Sequence, residues 1–352
     1  MSMDPTIAEL SERIRSAAAQ GKPLRLRGSG SKDFHGYALE GEPLDARAYA
    51  GVVSYEPTEL VVTARAGTSL AQLERTLADG NQMLGCEPPH FGPDATLGGC
   101  VAAGFSGPRR AAAGSLRDFV LGVKIINSQG EVLSFGGQVM KNVAGFDLSR
   151  VMAGSFGTLG LILEVSLKVL PRPEQELSLR FEMDEAGAIE AVNRWAGQPL
   201  PISATCFADG ALTLRLSGSA LGLAAARKKL GGSPIEDAAG FWESVREQRH
   251  AAFAGGALWR LSIHPTTPPL NLPGRQVIEW NGALRWLATE APAETLFAAA
   301  RKAGGNATRF RGGAPRTPVM QLEPGLLALQ RKLKAALDPQ GIFGPHRLHA
   351  EF

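Results

Sequence analysis

Three stretches of glycine and small side chains carry most of the chemistry that this sequence offers. The first, Arg27-Gly28-Ser29-Gly30-Ser31-Lys32, follows the strand-like run Pro23-Leu-Arg-Leu-Arg27. Residues without bulk let backbone N–H groups approach a diphosphate, and serine hydroxyls and a lysine add donors. An ordinary turn would use the same residues. The nicotinamide fingerprint G-x-G-x-x-G fails because Asp33 stands where glycine is required, and no G-x-x-x-x-G-K-[ST] P-loop occurs. The second stretch runs from Pro93 to Gly107. It sets Gly98, Gly99, Ala102, Ala103, Gly104 and Ser106 where large side chains would block a flat or extended ligand. Close helix–strand packing is its other use. The third, Gly154-Ser-Phe-Gly-Thr-Leu-Gly-Leu-Ile162, feeds a strand through Gly157 and Gly160, for close approach or for a bulged strand entry. Three such stations in one half of the chain favour a bound ligand over three unrelated turns.

Helices and strands must hold these stations. Asp4-Pro5 is a cap with a first-turn proline, and Ile7, Leu10 and Ile14 keep helical spacing. Strands are predicted at Pro23–Arg27, Leu60–Arg65, Phe119–Ile126, Val132–Phe135 and Gly160–Leu170, and a helix on Leu70, Leu73 and Leu77 closes at Gly80. Pro171-Arg-Pro173 marks the domain boundary. Beyond it the grammar changes. Strands at Leu177–Met183, Ile202–Phe207, Ala211–Leu216, Leu258–Ile263 and Val277–Trp280 alternate irregularly with helices at Glu185–Ala196, Leu221–Leu230, Phe241–His250, Glu294–Ala303 and Leu326–Leu337. Asp209-Gly210 and Asn281-Gly282 are hairpin turns. The absence of regular βαβ units predicts an antiparallel α+β sheet. Leu177–Leu216 and Leu258–Phe310 read as two copies of one unit.

Composition narrows the classes. The chain has 352 residues, 44% hydrophobic and 20% charged, enough to bury a core and suggestive of two domains. Thirty-seven basic against 34 acidic residues is too even a balance to argue for nucleic acid. Cys86, Cys100 and Cys206 form no C-x-x-C, which argues against a zinc ribbon, an iron–sulfur cluster on this chain or a disulfide framework. Free thiols suit a reducing compartment. No signal peptide is expected from Met1–Leu10, and no apolar run is long enough to span a membrane; Val151–Val165 is interrupted by glycines and Glu164.

The order R-G-x-G-[small], A-G-[TS] after a strand, T-[LIV]-G-G-x-[VI]-A-x-G-x-[SA]-G and G-S-x-G-T-L-G-[LIV]-[IL] resembles the vanillyl-alcohol-oxidase-type (PCMH) FAD-binding family over about residues 20–171. The resemblance implies a two-lobed FAD-binding domain at 1–171, an α+β cap-like domain at 172–325 with an antiparallel sheet, and a terminal helix and tail at 326–352 packing back on the first. It implies that Gly28, Ser29, Gly30, Ser31 and Lys32 hold the FAD diphosphate. Gly98, Gly99, Ala103, Gly104 and Ser106 would line the dinucleotide, with Gly157, Gly160 and Ile162 completing the site. Members with covalent FAD carry histidine where Ser31 stands, so the FAD expected here is non-covalent.

Further segments are similar to the FAD-binding E subunits of bacterial glycolate oxidase complexes: Cys86–His90, Gly107–Arg110, Ser115–Gly122, Met140–Arg150, Lys168–Pro173, Gly282–Trp286 and Asp338–Phe343. That resemblance implies two partners, a catalytic flavoprotein subunit and an iron–sulfur subunit. It also implies oxidation of glycolate to glyoxylate by the complex, with electrons passed toward membrane quinones. The expected location is cytoplasmic, with the membrane reached only through those partners. The H-x-G-D-G-N-x-H and E-x-H-G motifs of substrate-oxidising relatives are missing, so no catalytic base and no metal ligand is expected. FAD as electron relay or structural cofactor is the leading expectation. A free-standing 2-hydroxy-acid dehydrogenase and a non-catalytic assembly subunit are the alternatives. Softer candidates are Arg109 and Arg110 for diphosphate or a substrate carboxylate, Lys141, Asn142 and Asp147 for the flavin edge, and Glu87 and His90 for the ring. His264 reads as structural. Trp242, Trp259, Trp280 and Trp286 read as core first and as a subunit interface second.

Overall fold

A computed structural model of the chain describes residues 4–137, 148–313 and 317–352. They divide into two compact units. One comprises Met1–Phe105, Ser115–Pro171 and Leu322–Phe352; the other comprises Ser106–Gly114 and Arg172–Gln321.

In the first unit, α1 (Pro5–Gln20) starts where the Asp4 carboxylate accepts the Thr6 N–H, and it buries Ile7, Leu10, Ile14 and Ala17. β1 (Leu24–Arg27) pairs in parallel with β2 (Glu42–Asp45). The tail completes this layer: Leu24 donates its N–H to the Ile342 carbonyl, and Gly344 donates to the Leu24 carbonyl. β3 (Val52–Glu56), β4 (Val61–Arg65), β5 (Val120–Ile126), β6 (Val132–Gly136) and β7 (Leu161–Lys168) form an antiparallel sheet in the order β3-β4-β7-β5-β6. One core joins α1 to these layers through Ile14, Leu24, Leu44, Ile126, Leu163 and Phe343. α2 (Leu70–Asp79) buries the predicted Leu70, Leu73 and Leu77. α3 (Leu97–Ala103) begins at Thr96, whose hydroxyl accepts the Gly99 N–H.

The second unit holds one eight-stranded antiparallel sheet. Its strands are β8 (Gln175–Glu182), β9 (Ile202–Ala208), β10 (Ala211–Gly218), β11 (Ser233–Pro234), β12 (Ala257–Ser262), β13 (Arg275–Glu279), β14 (Leu284–Thr289) and β15 (Asn306–Arg311), in the order β11-β8-β10-β9-β13-β14-β12-β15. Outward from the central β9–β13 pair, each half runs second, third, first and fourth strand of its own four. The two halves are therefore topological copies, as the sequence repeat predicts. A helix joins third to fourth strand in both, Ala220–Leu230 and Ala293–Lys302. Glu185–Ala196 joins first to second only in the first half.

Helices cover one face of that sheet. Leu179, Leu212, Leu214, Phe207 and Ile278 pack there against Ile189, Val192 and Leu223, while Trp259, Leu261 and Leu287 pack against Leu296 and Phe297. Partners across a ladder share a face. On the other face Ser178 stands opposite Arg215, and Arg260 opposite Trp286. This face carries Ser178, Arg215, Arg260 and Trp286, whereas its reverse packs against the helices.

Candidate cofactor site

The three glycine stations meet in the first unit, around a cleft of about 980 Å³ with its open mouth included. Gly28, Ser29, Gly30, Ser31, Lys32, Gly98, Gly99, Ala103, Gly157, Gly160 and Ile162 all line it. β1 delivers the first station, α3 the second, and the entry to β7 the third. Gly104 and Ser106 are not on its wall. Gly104 ends α3 at φ 67°, and a Cβ there would lie 2.8 Å from the Gly154 nitrogen, so its smallness serves packing. Ser106 opens the 106–114 segment of the second unit.

Gly98 sets how near α3 comes to the end of β4. A Cβ on Gly98 would sit 2.7 Å from the Ala66 Cβ, and its N–H already donates to the Ala66 carbonyl at 2.8 Å. Gly98→Val is expected to force the helix away and to cost about 1–3 kcal/mol, as overpacking does. The midpoint of denaturant unfolding measures it; an unmoved midpoint would contradict the close approach.

Charge on the wall is uneven. Arg25, Arg27, Lys32 and Arg347 face two carboxylates, Asp33 and Glu40, an excess that suits a phosphate-bearing anion. Arg25 and Arg27 alternate with Leu24 and Leu26 along β1, so both reach the same side. The Nε atoms of both are buried and make no hydrogen bond among the described residues. Buried donors are normally satisfied, and two orphaned ones on one cleft wall mark where an acceptor belongs. The Arg27 guanidinium lies beside the first station: a Cβ on Gly30 would be 3.1 Å from its Nε. Lys32 turns its ammonium to the His90 carbonyl at 3.0 Å and to the Ser31 hydroxyl at 3.1 Å.

Arg347 is buried and acts as a clasp. Its guanidinium donates to the Tyr37 carbonyl at 2.8 Å and to the Lys32 and Asp33 carbonyls at 3.3 Å. Burial lowers its pKa, with Asp33 opposing and Arg25 adding to the shift. Phe156, also on the wall, sits in the left-handed region at φ 50° and stacks on buried His35 at 4.7 Å. Arg25, Arg27, Arg347 and Phe156 join the wall without having been expected there as ligand contacts. Two arginines two apart on a strand that opens a Gly-Ser loop were the available signal for the first pair.

The softer candidates lie elsewhere. His90 pairs with Glu74 at 3.1 Å, and Glu87 takes a left-handed turn at φ 46°; neither lines the cleft. In the second unit Arg109 is bound to Glu176, and Arg110 lies over the Trp280 ring. His264 is exposed. Trp259 is core, packed on Phe297, whereas Trp242, Trp280 and Trp286 each give their indole N–H to a polar partner. Lys141, Asn142 and Asp147 lie outside the described residues. Among the described residues no cluster of three or more His, Cys, Asp or Glu can hold a metal, and no helix is long and apolar enough to cross a membrane.

Comparisons with known proteins converge on the same cofactor. The profile of a family described as "FAD binding domain" matches residues 5–136. Glycolate oxidase subunit GlcE of Escherichia coli (strain K12) is 49% identical over 347 residues, 97% of each chain. Glycolate oxidase subunit GlcD of Bacillus subtilis (strain 168) is 38% identical over 84 residues, 24% of this chain and 18% of that one. The mitochondrial D-lactate dehydrogenase [cytochrome] 1 of Saccharomyces cerevisiae is 31% identical over 125 residues, 36% of this chain and 21% of that one. A solved structure of alkyldihydroxyacetonephosphate synthase superposes with a TM-score of 0.65 at 16% identity, covering 96% of this chain and 74% of that one, and so shares the fold. The glycine cleft and the identity that runs along nearly the whole of both chains lead to one conclusion: this protein belongs to the family of the FAD-binding glycolate oxidase subunit GlcE.

Proposed function

We propose that this chain binds FAD non-covalently in the glycine-lined cleft and serves a glycolate-oxidising complex as an electron relay or structural flavoprotein. The carrying observation is the pair of orphaned Nε donors on Arg25 and Arg27, set against backbone that has been stripped of side chains. In this reading Arg25 and Arg27 neutralise the diphosphate. Gly28 to Ser31, Gly98 and Gly99 let it lie against backbone, and Ala103, Gly157, Gly160 and Ile162 flank the rest of the dinucleotide. Lys32 orients the loop through the His90 carbonyl. Arg347 fixes the same loop from the tail. Bound FAD supplies hydride acceptance and one-electron transfer; the protein supplies position and charge.

The partners proposed are a catalytic flavoprotein subunit and an iron–sulfur subunit, with glycolate oxidised to glyoxylate by the assembly and the cytoplasmic membrane reached through those partners. Support comes from the GlcE relationship and from the missing H-x-G-D-G-N-x-H and E-x-H-G motifs, which leave this chain without a recognisable base.

The test is the anaerobic visible spectrum of the isolated chain before and after glycolate. Flavin bands that persist are expected, and acid precipitation should release the flavin into the supernatant. Bleaching by glycolate would make this chain a dehydrogenase in its own right. A chain that neither carries nor takes up FAD would be an assembly subunit, and either result overturns the proposal.

A further inference from the structure

The second unit has a cavity of its own, about 950 Å³ with its open mouth included. One stripe of the Ala220–Leu230 helix lines it: Ala220, Leu223, Ala224, Arg227 and Lys228, at the three- and four-residue spacing of a single helix side. Gln175, Glu176 and Leu177, the start of β8, also line it. Leu223 is buried and Leu177 partly so, which makes the floor apolar. Leu221, 86% exposed, is three residues before Ala224 and seven before Lys228, so it stands on the same side of the helix.

β8 is open along this stretch. In an antiparallel ladder, alternate residues turn their N–H and C=O groups to the same neighbour. Ser178 turns its carbonyl toward β11, where it accepts the Ile235 N–H at 3.1 Å. Glu176, two residues earlier, faces the same way, but β11 pairs only with Leu179 and Arg180. Ser217, opposite Glu176 on β10, gives its N–H to the Pro201 carbonyl instead. The Glu176 side chain turns to the sheet face away from the helices, where its carboxylate accepts from Arg109 and, at 2.6 Å, from the Ser217 hydroxyl. What Glu176 presents at the edge is therefore backbone, with no partner strand among the described residues.

Charge at the cavity is one-sided. Arg227 and Lys228 are exposed in the last turn of the helix, and neither has an ion pair or side-chain hydrogen bond among the described residues. Glu176 is the one carboxylate among the described residues of the wall, and it is already engaged. An open strand edge selects an extended backbone, an apolar floor takes its inward side chains, and two cations select carboxylates. From Ala220 to Lys228 the helix runs about 12 Å, the span of about four residues of extended chain. We propose that this groove docks an extended acidic segment of a partner polypeptide, added as a strand to the edge of β8 with its carboxylates on Arg227 and Lys228. Nothing in this site depends on the cofactor reading.

The experiment follows the fluorescence anisotropy of a labelled peptide, Thr-Val-Thr-Val-Asp-Glu, titrated with the full-length flavin-loaded chain. Saturable binding is expected. Arg227→Glu combined with Lys228→Glu should weaken it by about tenfold or more, as loss of charge-assisted hydrogen bonds does, while flavin content stays at the wild-type level. A peptide ending in Lys-Lys should bind that variant better than it binds wild type. Leu221→Ser should weaken the acidic peptide too. The same peptide N-methylated at alternate backbone amides should not bind, because its ladder hydrogen bonds are gone. Should the charge-reversed variant not fold, the N-methylated and Lys-Lys peptides still decide on the wild-type chain. Absence of saturable binding, equal binding of the Lys-Lys peptide by wild type, or unweakened binding of the N-methylated one would each overturn the proposal. A dimer in sedimentation velocity that the double substitution dissolves would put a second copy of this chain in the groove, and binding to phosphatidylglycerol vesicles in place of the peptide would make it a lipid surface; either result also overturns it.

Discussion

Arg25→Met combined with Arg27→Met is expected to yield a chain that folds but purifies without flavin. A hydrogen bond to a charged group contributes about 1.5–3 kcal/mol, roughly ten- to 150-fold in affinity. Two removed together should weaken FAD by about a hundredfold or more, below retention through chromatography. The second half of the expectation runs the other way. Without ligand, each buried, unsatisfied Nε is a burden of about 1–3 kcal/mol, and Met fills similar volume with no donor. The flavin-free variant should therefore melt at or above the temperature of flavin-free wild type, although it loses the stabilisation that ligand binding adds. Comparing apo melting temperatures with the FAD content of freshly purified protein separates the two effects. Wild-type flavin content would place the diphosphate away from β1. A clear fall in apo stability would make the arginines structural.

The glycine stations were legible because small residues at fixed spacing after strands have few other uses. The repeat in the second half was legible because hairpin turns at Asp209-Gly210 and Asn281-Gly282 punctuate both copies. Local signals also gave α1, through Asp4 and Pro5, and the helix at Glu185–Ala196 to the residue. β2 was not legible: Glu-Pro-Leu-Asp lacks alternation, and the strand exists because β1 offers it a parallel edge. α3 hid behind its glycines, which oppose helix on propensity alone and are held there by the Thr96 cap and the Ala66 carbonyl. Arg347 was beyond reach for a different reason. Its partners lie 310 to 315 residues earlier, and spacing says nothing about such pairs. Gly104 and Ser106 show the limit of a motif read as one block: the same small-residue run supplies cleft wall, then helix cap, then the start of a segment belonging to the second unit.

Asp338→Ala is expected to loosen the cleft from a distance. Asp338 is buried, and its carboxylate accepts the Ile342 N–H at 3.1 Å, the Phe343 N–H at 2.8 Å and the Lys334 ammonium at 2.7 Å. Lys334 also donates to the Thr158 and Phe343 carbonyls. Burial already pushes the Lys334 pKa below its ordinary value, with Asp338 opposing that shift. Removing the carboxylate leaves the cation without its counter-charge and two backbone donors without acceptors, at about 3–5 kcal/mol for a broken buried pair. The damage propagates along the chain. Ile342 and Phe343 hold the tail beside β1 through the Leu24 N–H and core packing, and Arg347, four residues on, holds the Lys32, Asp33 and Tyr37 carbonyls. The variant should melt well below wild type and release flavin faster, and added FAD should recover part of the loss by mass action. A second variant separates the charge from the packing. Lys334→Met combined with Asp338→Asn removes both charges, keeps an acceptor for the tail N–H groups, and should be more stable than Asp338→Ala alone. If Asp338→Ala melted like wild type, or the double variant proved the weaker of the two, the pair would not be what anchors the tail to the cofactor site.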